Sequence, residues 1–205
     1  PLTVMLSFLQ LLESSGLTEE QKLYTEKVFK SAQRLQKLID DVLELVSAET
    51  GLMKNQPQSL SVDALIQNVT ESIQKAAEQN SVEIQTEVQN QSLLADEKIL
   101  HNVLFRLLDN AVKFATKDST IRVRGRLLDS GYQFQVINDG PPMSEQQIQK
   151  IRKPFTLDED IMNHAQGFGL GLSVCQALLR AHDSELHLES QDNQVIASFV
   201  ISSEI

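Results

Sequence analysis

A glycine-rich turn that runs directly into a helical pattern is the stretch of this chain whose residue types best fit anion binding. It consists of Gly167, Gly169, Leu170, Gly171 and Leu172, with Phe168 between the first two glycines. A helix start leaves backbone N–H groups unpaired at the positive end of the helix dipole, and glycine lets a ligand approach the backbone closely. The turn therefore predicts a phosphate site. A plain helix cap is the alternative.

A polar edge runs along the helix that the sequence predicts for residues 96–115. Arg106, Asn110 and Lys113 are spaced at i, i+4 and i+7, so they share one edge beside an apolar stripe. The amide oxygen of Asn110 is a ligand type that Mg²⁺ accepts, and the ammonium of Lys113 can meet a phosphate. Spacing alone also fits a solvated polar edge with no ligand.

The strand predicted for residues 132–138 ends in a polar residue on its apolar face. Tyr132, Phe134, Val136 and Asn138 alternate, which places Asn138 between the sheet and the helices, just before Gly140. A polar side chain there can read the edge of a purine. Because Asn-Asp-Gly-Pro is also strong turn chemistry, a simple turn residue is the alternative.

An aperiodic acidic segment follows Lys153-Pro154-Phe155. Irregular segments of about 12–15 residues inside a compact domain are often mobile lids. Phe155 is then its candidate anchor, and a disordered surface loop is the alternative.

Composition excludes several classes of protein. The net charge of −10 argues against a nucleic-acid groove, and the single cysteine, Cys175, excludes an intrachain disulfide. No apolar run approaches 18 residues, so no membrane contact is expected of these residues. Because the chain opens in mid-pattern at Pro1 without an initiator Met, we expect a fragment of a longer protein, with membrane or sensor segments possible upstream.

The first 50 residues predict a helical hairpin. A capping box at Thr18 and Gln21 starts the second helix, whose apolar residues alternate steps of 4 and 3 as in a heptad seam. A four-helix bundle made by two chains would cover this seam. Packing of the hairpin on the rest of its own chain is the alternative.

A second unit follows a linker at residues 51–60. Helices are predicted at 62–79, at 96–115, from Ser144 and up to about 181. Strands are predicted at 82–88, 120–128, 132–138, 185–190 and 195–202. Helices clustered with antiparallel strands predict an α+β sandwich.

Taken in order, these features resemble the catalytic core of bacterial sensor histidine kinases over nearly the whole chain. Pro1-Leu2-Thr3 resembles the end of the phosphoacceptor box, whose His would lie upstream. Residues 103–114 resemble the N box, 136–143 the G1 box, 153–155 the F box and 167–172 the G2 box.

The resemblance implies a dimerisation and phosphotransfer hairpin at 1–50, a linker at 51–60 and an ATP-binding sandwich of the histidine kinase, Hsp90 and gyrase type at 61–205. It implies an ATP-dependent protein-histidine kinase that forms a homodimer through 1–50 and passes phosphoryl to an Asp of a response regulator. Asn110 would hold Mg²⁺, Lys113 would meet phosphate, and the glycines of the G2 box would let the lid close. With its acceptor His upstream, the fragment alone is expected to bind nucleotide without phosphorylating itself, and a cytoplasmic location is expected.

Three residues depart from the family pattern. Arg106 stands where a second Asn is usual, Asn138 replaces the Asp of the G1 box, and Pro142 replaces its second Gly. We expect weakened rather than absent nucleotide binding. The alternative is a degenerate kinase that dimerises and docks a response regulator without turnover. Another ATPase of the same class fits less well, since it has no need of the hairpin.

Overall fold

The computed structural model describes residues 2–154 and 169–202. The chain divides into two compact units, Pro1–Glu44 and Leu45–Ile205. Within the described ranges, no helix combines the length and apolarity needed to cross a membrane.

The first unit is built from two helices, α1 (Leu2–Glu13) and α2 (Glu19–Glu49), of which the last turns of α2 belong to the second unit. The predicted capping box begins α2. The backbone N–H of Gln21 donates to Thr18 Oγ1 at 3.3 Å, and Gln21 Oε1 accepts from the Thr18 N–H at 2.9 Å. The sequence prediction of a helical hairpin is therefore confirmed.

The apolar seam of the hairpin is exposed. None of the residues that the structure describes for α1 is buried. In α2 the seam residues Val28, Leu35 and Ile39 are 50%, 47% and 44% exposed. Exposed apolar surface on this scale indicates an interaction surface, because soluble proteins rarely leave contiguous apolar patches bare.

The second unit is an α+β sandwich. Its helices are α3 (Val62–Gln79), α4 (Glu97–Phe114), α5 (Glu145–Ile151) and α6 (Gly171–Arg180). Its strands are β1 (Gln58–Ser61), β2 (Glu83–Val88), β3 (Ser92–Ala95), β4 (Thr120–Leu128), β5 (Gly131–Asp139), β6 (His187–Gln191) and β7 (Gln194–Ile201). A five-stranded sheet has the order β2-β4-β5-β7-β6, and β1 pairs with β3 separately. One hydrophobic core joins residues of this sheet to the inner faces of α3, α4 and α6.

A cluster of aromatic rings lies on the inner face of the large sheet. The ring centroids of Tyr132 and Phe134 are 5.0 Å apart, and those of Phe134 and Phe199 are 5.1 Å apart. The Tyr132 hydroxyl donates to the Gln89 carbonyl at 2.6 Å, and burial raises the pKa of this tyrosine. Gly125 is required opposite the ring, because a Cβ there would collide with the Tyr132 hydroxyl.

Two features of the sheets differ from the sequence prediction. The short strands β1 and β3 were not predicted, and β1 begins inside the expected linker. Four residues each give too little alternation to recognise, and their pairing depends on a partner more than 30 residues away. The pair β2–β4 is parallel, whereas antiparallel strands were expected. A helix, α4, lies in the connection between them, and such a crossover is what joins parallel strands.

The expected linker is bonded to the sandwich around a half-buried histidine, His182. The Gln56 N–H donates to Asp96 Oδ2 at 2.9 Å, and Asn55 Nδ2 donates to the Ala181 carbonyl at 3.0 Å. The Asp96 N–H in turn donates to Nε2 of His182 at 3.4 Å, while Nδ1 lies 3.5 Å from Asn55 Nδ2. Because Nε2 accepts a hydrogen bond, this junction requires a neutral ring.

We expect this junction to weaken in mild acid. Burial lowers the pKa of His182 below its ordinary 6.5, although Asp96 and Asp183 oppose the shift. As the pH falls below 6.5 the unfolded chain therefore takes up the proton first, and the free energy of unfolding decreases down to the folded-state pKa.

Urea unfolding at about pH 7.5 and about pH 5.5 tests this expectation. The His182→Gln variant should lose less stability on acidification than the unchanged chain. His187→Gln, on an exposed position of β6, is the matched control and should behave like the unchanged chain. Equal acid sensitivity in His182→Gln and the unchanged chain would contradict the assignment.

Candidate functional site

Helix α4 carries the polar edge that the sequence singled out. The carboxylate of Asp96 caps its start, where Oδ1 accepts from the N–H groups of Lys98 at 3.0 Å and Ile99 at 3.2 Å. Its buried stripe includes Leu100, Leu104, Leu107, Leu108 and Ala111. Because this stripe fixes the rotation of the helix in the core, Asn110 is left half-buried at the edge of the stripe.

The amide of Asn110 lies against the first turn of α6. A Cβ added to Gly171 would stand 3.6 Å from Asn110 Nδ2 and 3.9 Å from Oδ1. Among the described residues no side chain caps α6, whose N-cap is Leu170. The structure therefore brings the amide of Asn110 and the uncapped N-terminus of α6 together.

The residues around Gly171 have separate conformational roles. Gly169 has φ +68°, a left-handed conformation that favours glycine. Leu170 is buried, and Leu172 packs partly buried against the core. These two leucines pack the first turn of α6 against the hydrophobic core.

Lys113 is paired with an acidic neighbour. Its Nζ lies 2.5 Å from Asp109 Oδ2, and the side chains are 29% and 19% exposed. The ion pair spans one turn of α4 at i and i+4. Lys113 therefore contacts a carboxylate in this structure. Because its ammonium has three N–H donors, it can bond a phosphate while it keeps Asp109.

The end of β5, which carries the next candidate residue, packs against the C-terminus of α4. Asn138 is buried, and its Nδ2 donates to the Asp139 carbonyl at 3.3 Å. A Cβ on Gly140 would lie 3.1 Å from that nitrogen and 3.2 Å from the Phe114 carbonyl, so glycine lets the turn pack against both. The C-terminus of α4 and the end of β5 are thus in contact.

The carboxylate of Asp139 lies away from this contact. Its Oδ1 accepts from Gln194 Nε2 at 2.9 Å across the β5–β7 pair. Strand alternation predicted this opposite face, and the burial of Tyr132, Phe134 and Val136 beside Asn138 agrees with it. The neutral Asn138 is therefore the group that β5 presents toward the helices.

The remaining sequence-derived candidates are distributed as follows. Phe155 and Gly167 lie outside the described residues. Arg106 Nε donates to Asn102 Oδ1 at 2.8 Å, within α4. Pro142 is exposed after the end of β5.

Sequence reasoning missed the partners of these residues. Asp109 was recognisable, because it stands four residues before Lys113 on a predicted helix. Gln194 was not, since its contact with Asp139 depends on the register of two strands that are 55 residues apart. Arg152, which bonds to Gln176 and Leu186, was likewise missed.

Two family models match the chain, one over each unit. Residues 95–202 match the histidine kinase-, DNA gyrase B- and HSP90-like ATPases, and residues 1–51 match the His Kinase A (phospho-acceptor) domain. The chain belongs to the histidine kinase-, DNA gyrase B- and HSP90-like ATPase family. With the phospho-acceptor domain in front, it is the catalytic core of a sensor histidine kinase.

Curated relatives are histidine kinases and sensor proteins. The chain is 30% identical over 183 residues to the circadian input-output histidine kinase CikA of Synechococcus elongatus, covering 87% of this chain and 24% of CikA. It is 27% identical to the sensor protein EvgS of Escherichia coli K12, covering 93% of this chain and 16% of EvgS. The chain thus spans less than a quarter of the length of either relative.

Solved structures share the fold. ShkA, crystallised with AMPPNP, superposes with a TM-score of 0.82 at 24% identity over 100% of this chain and 44% of that chain. ThkA in complex with the response regulator protein TrrA gives a TM-score of 0.72 at 20% identity over 99% of this chain and 58% of that chain. At these identities the likeness concerns the fold alone.

Proposed function

We propose that the protein binds Mg-ATP in the second unit, phosphorylates a histidine on the hairpin and passes the phosphoryl group to an aspartate of a response regulator. The observation that carries the proposal is the amide of Asn110 against the first turn of α6 at Gly171. The phospho-acceptor match at residues 1–51 supports the histidine as acceptor. The kinase–regulator complex of ThkA supports the final partner.

The donor set of this site fits a magnesium nucleotide. Asn110 supplies one neutral oxygen, and Mg²⁺ is commonly held by one or two protein oxygens together with substrate phosphates and water. Asn110 would hold the ion. When bound, Mg²⁺ supplies neutralisation of the charge that develops on the transferred phosphoryl group.

The protein's own residues then bind and orient the nucleotide. The N–H groups at the start of α6 donate to phosphate oxygens, and Lys113 adds a positive charge beside them. Asn138 accepts a hydrogen bond from the adenine amino group. Because phosphoryl transfer needs little covalent help, catalysis depends on this positioning and on a histidine brought to the γ-phosphate.

The acceptor histidine is not among residues 1–50. The four histidines of this chain are His101, His164, His182 and His187. We therefore expect these 205 residues to bind nucleotide without phosphorylating themselves. Base-stable phosphohistidine on this chain alone would contradict that expectation.

A second candidate function is a degenerate kinase that acts as a dimeric docking module. The observation that favours it is the neutral Asn138, whose neighbouring carboxylate, Asp139, is bonded to Gln194. An amide binds the adenine amino group without charge assistance, which costs about 1 kcal/mol or several-fold in affinity. Autophosphorylation of the full-length protein distinguishes the kinase from the docking module.

Nucleotide titration tests the main proposal. The chain should bind a non-hydrolysable ATP analogue saturably and more tightly with Mg²⁺. Asn110→Ala should weaken Mg²⁺-dependent binding by about tenfold or more, since it removes the oxygen ligand. Asn68→Ala, on the exposed face of α3, is the control and should bind like the unchanged chain. No binding at millimolar analogue by the unchanged chain would refute the proposal.

Reversion of the departures separates kinase from docking module. The test compares the full-length protein with its double variant Arg106→Asn and Asn138→Asp. If Arg106 and Asn138 already support kinase activity, the variant should take up only modestly more label from radioactive ATP. A large gain would instead support the degenerate kinase. The phosphorylated residue is identified by its acid-labile, base-stable label.

We further propose that two hairpins associate through the exposed seam. In sedimentation velocity the chain should form a dimer. Leu35→Glu should weaken association by about a hundredfold, because it buries an unpaired carboxylate. Leu127→Glu is the control, since Leu127 is equally exposed, at 52%, but lies on β4 of the second unit. A monomeric unchanged chain, or a Leu35→Glu variant that dimerises normally, would overturn this proposal.

A further inference from the structure

The C-terminus of α5 is bonded to α6 and to the chain before β6 through one arginine. Arg152 is the C-cap residue of α5. Its Nη2 donates to the Leu186 carbonyl at 2.9 Å and to Gln176 Oε1 at 3.2 Å. A guanidinium suits this position, since its several N–H donors have a fixed geometry and can bond two acceptors at once.

Two further hydrogen bonds complete a network around Arg152. The Ser173 hydroxyl donates to the backbone carbonyl of Arg152 at 3.2 Å. Gln176 Oε1 accepts a second hydrogen bond, from the Leu186 N–H at 3.3 Å. Ser173 and Leu186 are both buried. The side chain of Arg152 thus bonds to α6 at Gln176, and its main-chain carbonyl bonds to α6 at Ser173.

This network lies on the helix that forms the candidate nucleotide site. Ser173 and Gln176 follow Gly171 by two and five residues on α6. At 1.5 Å per residue, Ser173 and Gln176 are about 3 and 7.5 Å along the axis from Gly171. None of the hydrogen bonds of the network involves Asn110, so they link Arg152 to the site through the placement of α6.

Apolar packing alone does not fix that placement. The buried face of α6, with Val174, Cys175 and Leu178, packs into the core that it shares with α4. Apolar contact is non-directional, and it tolerates small shifts along the helix axis better than hydrogen bonds do. Two kinds of directional bond add to this packing. Cys175 Sγ donates weakly to the Val103 carbonyl of α4 at 3.8 Å, and the Arg152 network bonds α6 to the end of α5 and to Leu186.

We propose that Arg152 is a positioning residue for nucleotide binding, which holds the N-terminus of α6 at the distance from Asn110 that a magnesium-bound phosphate requires. The inference rests on the proposed function, because it assigns a residue to that same site. In this role Arg152 acts through Ser173, Gln176 and Leu186 rather than as a ligand of the nucleotide or the metal. A purely structural bond is the competing explanation, and it predicts a change in stability alone.

The test compares Arg152→Met with Arg126→Met. Arg126 provides a matched control, because its Nε also donates to a glutamine, Gln133 Oε1, at 2.8 Å, but within the β4–β5 pair. The dissociation constant for the magnesium complex of AMPPNP is measured for each variant well below its melting temperature. Arg152→Met should raise it by about five- to tenfold, whereas Arg126→Met should leave it unchanged.

A conservative variant covers the case in which Arg152→Met fails to fold. Arg152→Lys keeps the charge and one of the two side-chain hydrogen bonds, so its dissociation constant should fall between those of the unchanged chain and Arg152→Met. A lowered melting temperature with an unchanged dissociation constant in the Arg152 variants would overturn the inference and leave the proposed function intact. Absence of binding by the unchanged chain would refute both.

Discussion

Burial of one apolar stripe determines the geometry of the second unit. The stripe of α4 lies wholly inside the core, and five of its members, Leu100, Val103, Leu104, Leu107 and Leu108, are almost completely inaccessible to water. A helix held in this way cannot rotate without exposing apolar surface, at a cost of about 25 cal/mol per Å². The polar edge is therefore fixed by hydrophobic packing, and Asn110 lies against α6 without needing a strong bond of its own.

The polar groups of the site are arranged around this fixed helix at low electrostatic cost. A buried amide such as Asn138 loses less hydration than a buried carboxylate, which needs either a counter-charge or several N–H donors. The charged groups are partnered by their neighbours, Lys113 by Asp109 and Asp139 by Gln194. In a chain with net charge −10, attraction of a phosphate must come from local groups rather than from the overall field.

Local signals in the sequence were enough to predict the long helices and strands. The bounds of α3 agree with the prediction, because its apolar spacing is regular and Ser61 caps it. The face of β5 that carries Asn138 also followed from simple alternation. The pairing of β1 with β3, the parallel β2–β4 pair and the Gln194 contact depend on which distant segments meet. Such contacts carry no local signal, so neither they nor the network around Arg152 were predictable. The roles of the site residues remain predictions.

The enclosed ring of Tyr132 gives the protein a natural optical label. The chain has no tryptophan and only two tyrosines, of which Tyr24 lies exposed on the hairpin. A ring held rigidly between Gly125 and neighbouring aromatic side chains produces near-ultraviolet circular dichroism, which disappears when specific packing is lost. A mobile, solvated ring contributes little. The tyrosine band of the unmodified chain thus reports the integrity of the second unit alone, whereas the far-ultraviolet signal for helix content comes from both the hairpin and the second unit.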